Sequence, residues 1–111
     1  MRHFNFNLTL VRIVKMTFKK EHIVDFKEIF NRSKENIRAF DGCSFLELYQ
    51  DKTNKAIFFT YSYWDDETFL ERYRNSDFFK SVWAKTKVLF SSKPEAWSVD
   101  KIETLPAGRQ A

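Results

Sequence analysis

An α+β domain with the element order strand, helix, strand, strand, helix, strand is what the sequence predicts. Three observations carry that prediction. The run Ala56-Ile-Phe-Phe-Thr-Tyr-Ser-Tyr-Trp64 is rich in aromatic and β-branched residues and free of Gly and Pro, which reads as a well-buried strand. Asp65-Asp66-Glu67 follows at once, and the free amides of a helix's first turn favour negative charge, so a helix starts there. Earlier in the chain, Ile23, Phe26, Phe30, Ile37 and Phe40 recur at a helical period.

Taken in order, residues 1–7 show no period and read as a flexible lead-in. From Leu8 to Phe18 the pattern alternates: Leu10, Val14, Met16 and Phe18 share one side, and Val11, Ile13, Lys15 and Thr17 share the other. That is a first strand, apolar on one face and mixed on the other. Glu21 to Phe40 is a helix whose outer face, Lys27, Glu28, Arg32 and Glu35, is solvated. It ends at Asp41-Gly42, where Gly can take the left-handed conformation that closes a helix, while its start has no clear cap.

Cys43 to Gln50 is a second strand, Asp51-Lys-Thr-Asn54 the turn, and Lys55 to Trp64 the third strand, antiparallel to the second. A short helix runs from Asp66 to about Arg74. Asn75-Ser76-Asp77 interrupts it and caps a second piece reaching Phe90, with Phe78, Val82, Leu89 and Trp83 or Phe79 on its apolar side. Ser91-Ser-Lys-Pro94 is a loop and Glu95 to Glu103 the last strand. This order is the split βαβ arrangement of ferredoxin-like domains, helices on one face of an antiparallel sheet. The domain covers 8–104, with a flexible tail over 105–111.

The other sheet face carries Val11, Ile13 and the alternate aromatics of the third strand. Left wet, it would expose a large apolar surface, so pairing with a second copy is expected. A total of 13 Phe in 111 residues adds to that surplus and also suits a small-molecule pocket. The net charge of +4 is mild and interleaved, with no basic block, so nucleic acid is not an expected partner. A single Cys allows no internal disulfide and no cysteine cluster for zinc. No apolar run is long enough to span a bilayer, and the expected location is the cytoplasm, away from membranes.

Several short motifs, in this order, resemble the antibiotic biosynthesis monooxygenase domain. They are Asp41-Gly-Cys43, Phe59-Thr-Tyr-Ser-Tyr-Trp-Asp-Asp-Glu67 with Phe69 and Leu70, Asn75-Ser-Asp-Phe-Phe79, and Pro94-Glu-Ala-Trp97. The resemblance covers residues 10 to 103. It implies a homodimer whose sheets form a shared dimeric α+β barrel, with a pocket between helices and sheet in each protomer. Activities of proteins resembling this include cofactor-free oxygenation of quinols and polyketide phenols, and haem degradation. The haem-degrading pattern of Asn, Trp and His falls on Val14, Tyr73 and Trp83, none of which matches, so the resemblance does not extend to haem. The quinol-oxidising members commonly carry a His in the second helix, and this helix has none.

The expected function is therefore a cofactor-independent monooxygenase of a small aromatic or quinol-like substrate, with no cofactor and no metal. The alternative is a non-catalytic ligand-binding or structural dimer. An RNA-binding module shares the strand order, but Lys55-Ala-Ile-Phe-Phe-Thr-Tyr61 lacks the Gly-punctuated basic motif of such sheets. Pocket candidates are Val14, Phe30, Tyr61, Trp64, Tyr73 and Trp83, with Tyr73 as a hydrogen-bonding group and Trp83 stacking on an aromatic ring; no catalytic base is identified. His3 and His22 read as surface residues, and Cys43 as a small buried thiol.

Overall fold

The structure, a computed structural model, describes residues 9–106. The expected lead-in over 1–7, His3 included, lies outside the described residues, as does most of the expected tail. Strand β1 (Leu10–Thr17) leads through a 3-10 turn (Lys20–His22) into helix α1 (Ile23–Arg38). Strands β2 (Cys43–Gln50) and β3 (Ile57–Trp64) form a hairpin, helices α2 (Glu67–Arg74) and α3 (Asp77–Lys87) follow, and β4 (Glu95–Asp100) closes the sheet. The sheet is antiparallel in the order β2-β3-β1-β4, as a ferredoxin-like domain requires.

Local chemistry explains each boundary. No side chain caps α1, and the His22 N–H instead donates to the Lys19 carbonyl at 2.9 Å, which makes the entry a tight turn. His22 itself lies against Asp25 at 2.7 Å, on the outer side of the helix start. Asp51 accepts from the amides of Thr53 and Asn54, and Asn54 from that of Ala56, so the hairpin turn extends to Ala56 and β3 begins two residues later than Lys55. Asp66 caps α2 by accepting from Thr68 and Phe69, and Ser76 caps α3 by accepting from Phe79.

Helix α1 is two residues shorter at each end than the expected Glu21 to Phe40, and two later elements also end early. Helix α3 stops at Lys87 because the next residues are claimed by the end of β1 and the segment just after it: the Lys19 N–H donates to Leu89 O and the Ser91 N–H to Thr17 O. Strand β4 stops at Asp100, which pairs with Leu10 at the start of β1, and one further bond runs from the Lys101 N–H to Thr9 O.

All three helices lie on the face that carries Val14, Met16, Phe58 and Trp64. One apolar cluster gathers Met16, Phe18, Phe26, Phe58 and Leu89, with the Phe18 and Phe26 rings stacked at 4.3 Å. A second gathers Leu10, Cys43, Trp64 and Leu70, with Tyr73 stacked on Trp64 at 5.0 Å. Each fully buried aromatic contributes about 1.5–3 kcal/mol through removal from water. Gly42 joins α1 to β2 with φ +88, and a Cβ there would lie 2.3 Å from the Phe69 ring. Glycine is required twice over at that point, by backbone angle and by space.

Among the described residues, no helix packs against the opposite face. It presents Phe45 stacked on Tyr63 at 4.2 Å, Tyr49 beside Tyr61 at 5.1 Å, and Ile13 between Tyr61 and Trp97 in the register. Trp97 and Val99 of the edge strand retain 43% and 42% of their surface, which is high for residues so apolar. No helix among the described residues is long and apolar enough to cross a membrane.

Candidate functional site

Between the two apolar clusters, the helices stand off the sheet and leave a cavity of about 410 Å³. Its floor follows from strand alternation. Val14 of β1 pairs with Thr60 of β3 on one side and Ala96 of β4 on the other, and all three line the cavity. One row along, Arg12 pairs with Ser62 and Ser98. Arg12 and Ser62 line the cavity too, so the floor is apolar in one row and polar in the next.

The roof is built at helical spacing. Phe26, Phe30 and Ile37 come from α1, Leu70, Tyr73 and Arg74 from α2, and Phe79, Val82, Trp83 and Thr86 from α3. Phe79 and Trp83, one turn apart, hold their rings nearly parallel at 5.8 Å and 12°. Thr86 is buried, and its hydroxyl is used internally, donating to Val82 O at 2.8 Å. Ser62 accepts from the Trp64 indole at 2.9 Å, which fixes Trp64 behind the wall.

The expected pocket residues divide accordingly. Val14, Phe30, Tyr73 and Trp83 line the cavity. Trp64 does not: it is only 1% exposed, packed among Leu10, Cys43, Leu70 and the ring of Tyr73, and supports the wall from behind. Tyr61 is a correction. It is odd-numbered in a strand whose even positions face the helices, so it stands on the opposite sheet face beside Tyr49.

Two residues were missed in reading the sequence. Arg12 shares its side of β1 with Leu10 and Val14, and a charge inside an otherwise apolar alternation was the signal. Arg74 closes the last turn of α2, one residue past Tyr73. Arg12 donates from Nη1 to Ser98 Oγ at 2.9 Å and has no carboxylate partner among the described residues, whereas Arg74 meets Glu71 at 3.3 Å. Burial, followed by the nearby charge of Arg74, lowers the Arg12 pKa, against the opposing pull of Glu67 and Glu71. An arginine so shifted still carries its charge. Burial raises the Tyr73 pKa well above the ordinary phenol value, so its hydroxyl stays protonated and keeps a proton to donate.

Among the lining residues there is no Asp, Glu, His or Lys. Nor does any group of three His, Cys, Asp or Glu residues come together among those described. Val14, Tyr73 and Trp83 all reach the cavity, and none of the three offers an imidazole. Cys43 is buried at the start of β2, where loss of solvation raises its pKa and makes it a weak nucleophile.

A family model described as antibiotic biosynthesis monooxygenase matches residues 9–85. Solved structures with the same fold include a conserved protein from Methanosarcina mazei Go1, 23% identical with TM-score 0.81, covering 86% of this chain and 94% of that one. PA3566 from Pseudomonas aeruginosa is 20% identical with TM-score 0.80, covering 90% of this chain and 100% of its own. A protein described as an antibiotic biosynthesis monooxygenase is 17% identical with TM-score 0.80, covering 85% and 99%. No curated protein matches the chain.

Proposed function

Because the chain belongs to the antibiotic biosynthesis monooxygenase family, we propose that it oxygenates a small, flat phenol or quinol in the helix–sheet cavity without a cofactor. The observation that carries this reading is the cavity itself: about 410 Å³, walled by Phe30, Phe79 and Trp83 over a floor of Val14 and Thr60. Such a slot takes one aromatic body and excludes most water. The stacked Phe79 and Trp83 rings fix its plane.

In this reading the substrate supplies the electrons. A phenol that has lost its proton carries charge onto the ring carbon opposite the oxygen. That carbon gives an electron pair to O₂ and forms a peroxide. The O–O bond then breaks as the carbon's remaining hydrogen leaves as a proton, giving a quinone and one water. Tyr73, kept protonated by burial, donates to the substrate oxygen and orients it. No lining side chain can act as a strong base, so the first proton goes to solvent at the open end of the cavity.

The same lack of a base favours a second reading, a non-catalytic dimer that binds an aromatic ligand. In both readings two copies close sheet to sheet over Phe45, Tyr49, Tyr61, Tyr63 and Trp97, forming a barrel. That face otherwise leaves Tyr49, Trp97 and Val99 exposed beside half-buried Phe45, Tyr61 and Tyr63. A reducing cytoplasm suits a chain with one Cys, buried at position 43.

Oxygen uptake with a panel of dihydroxynaphthalenes and anthrones tests the oxygenase reading. It predicts consumption of O₂ with quinone formation for at least one of them. A flat trace with every substrate, on folded protein, leaves only the binding reading.

A further inference from the structure

We infer that the cavity is built for an aromatic ligand bearing one ionised oxygen group, carboxylate or phenolate, anchored by Arg12 with Arg74 beside it. The inference rests on the cavity being the substrate site and names what that site selects.

Three observations carry it. Of the residues that line the cavity, two are arginines and none is acidic, so a cationic ligand would meet only like charge. Arg12 projects from a sheet floor whose neighbours along β1 are apolar, and its guanidinium is left partly exposed, so its donors are open to an acceptor that enters the cavity. It has five N–H donors, yet its one side-chain hydrogen bond among the described residues runs to Ser98, which leaves the rest to an incoming acceptor.

The surrounding charges agree with this assignment. Glu71 is held by Arg74 at 3.3 Å, and Glu67 is exposed on the first turn of α2, so both carboxylates support the arginines from outside the cavity lining. Apolar walls next to the guanidinium strengthen a charge-assisted bond and favour a planar, bidentate acceptor such as a carboxylate. The apolar row through Val14 and Thr60 would then lie under the ring, with the polar row through Arg12 and Ser62 under the anionic end. Selection of an anion also answers the missing base: a ligand admitted as its anion needs no proton removed inside.

Calorimetric titration of the full-length protein with 2-naphthoate, 2-naphthalenemethanol and 2-naphthylmethylamine tests this. The expected order is naphthoate tighter than the alcohol by roughly tenfold or more, with the amine weakest. Arg12→Gln should remove that preference, weakening naphthoate by roughly tenfold while changing the alcohol by less than about twofold; Arg12→Lys should restore part of it. Equal or tighter binding of the alcohol by the unmutated protein overturns the inference, as does the absence of binding by all three probes. These outcomes need no variant to fold. Anion preference without O₂ uptake on the phenol panel would retire the oxygenase reading and leave the inference standing. Uptake without anion preference would do the reverse.

Discussion

Replacing Gly42 by alanine perturbs the corner between α1 and β2, where the backbone lies against Phe69 of α2. The magnitude follows from two separate terms. Holding a non-glycine residue at φ +88 costs about 1–2 kcal/mol. The new methyl would sit 2.3, 2.4 and 2.6 Å from Phe69 Cγ, Cβ and Cδ1, too close for any rotamer of that ring. Displacing Phe69 from its packing costs about 1–3 kcal/mol more. The sum, about 2–5 kcal/mol, is a large share of a small domain's stability. Urea denaturation followed by circular dichroism should show that loss, together with a melting temperature lowered by roughly 4–8 °C for each kcal/mol. In the background of Phe69→Ala the clashes with Cγ and Cδ1 disappear while that with Cβ and the backbone part remain, so the two changes should couple by about 1 kcal/mol or more. A loss under about 0.5 kcal/mol, or strict additivity with Phe69→Ala, would refute this account of the α1–β2 corner.

Other consequences are as direct. Phe58→Ala removes a side chain 1% exposed at the centre of the first cluster, and should cost about 3–5 kcal/mol in the same assay. Tyr73 has a raised folded-state pKa, so the folded protein holds that proton more tightly than the unfolded chain. The resulting stability is fully present below the ordinary phenol value of 10.0 and is lost as pH rises above it. Stability curves across that range should fall more steeply for the parent than for Tyr73→Phe, and parallel curves would deny the burial of the hydroxyl. Trp97→Glu places a charge on the open sheet face and should convert a particle of twice 13.4 kDa into one of 13.4 kDa by light scattering. A parent protein that already scatters as 13.4 kDa at low concentration would remove the sheet-to-sheet dimer.

The fold was legible because period and punctuation agreed. Alternation in β1 and β3, the acidic start of α2, the cap in Asn75-Ser76-Asp77 and the left-handed Gly42 each act locally, and each is found in the structure, with Asp66 serving as the cap of α2 rather than its first residue. The element ends at Phe90 and Glu103 were not legible, since they are set by long-range hydrogen bonds to Thr17 and by the register of β4 on β1. The cavity was half visible. Aromatic content named Phe30, Tyr73 and Trp83, but composition cannot tell which face of β3 a tyrosine takes, and Tyr61 was misassigned for that reason. Arg12 needed a parity argument applied to a charged residue. An apolar count along β1 skipped over it, although it sits between Leu10 and Val14 on the cavity face.

The measurement closest to the centre of the account is O₂ consumption by the parent protein and by Val14→Trp, each shown folded by circular dichroism. Val14 projects from the sheet floor into open volume, so an indole there should fill the slot rather than strain the core. The account predicts steady uptake by the parent on an acidic phenol and none by the variant. Equal rates in the two proteins would place the chemistry somewhere other than the cleft between helices and sheet.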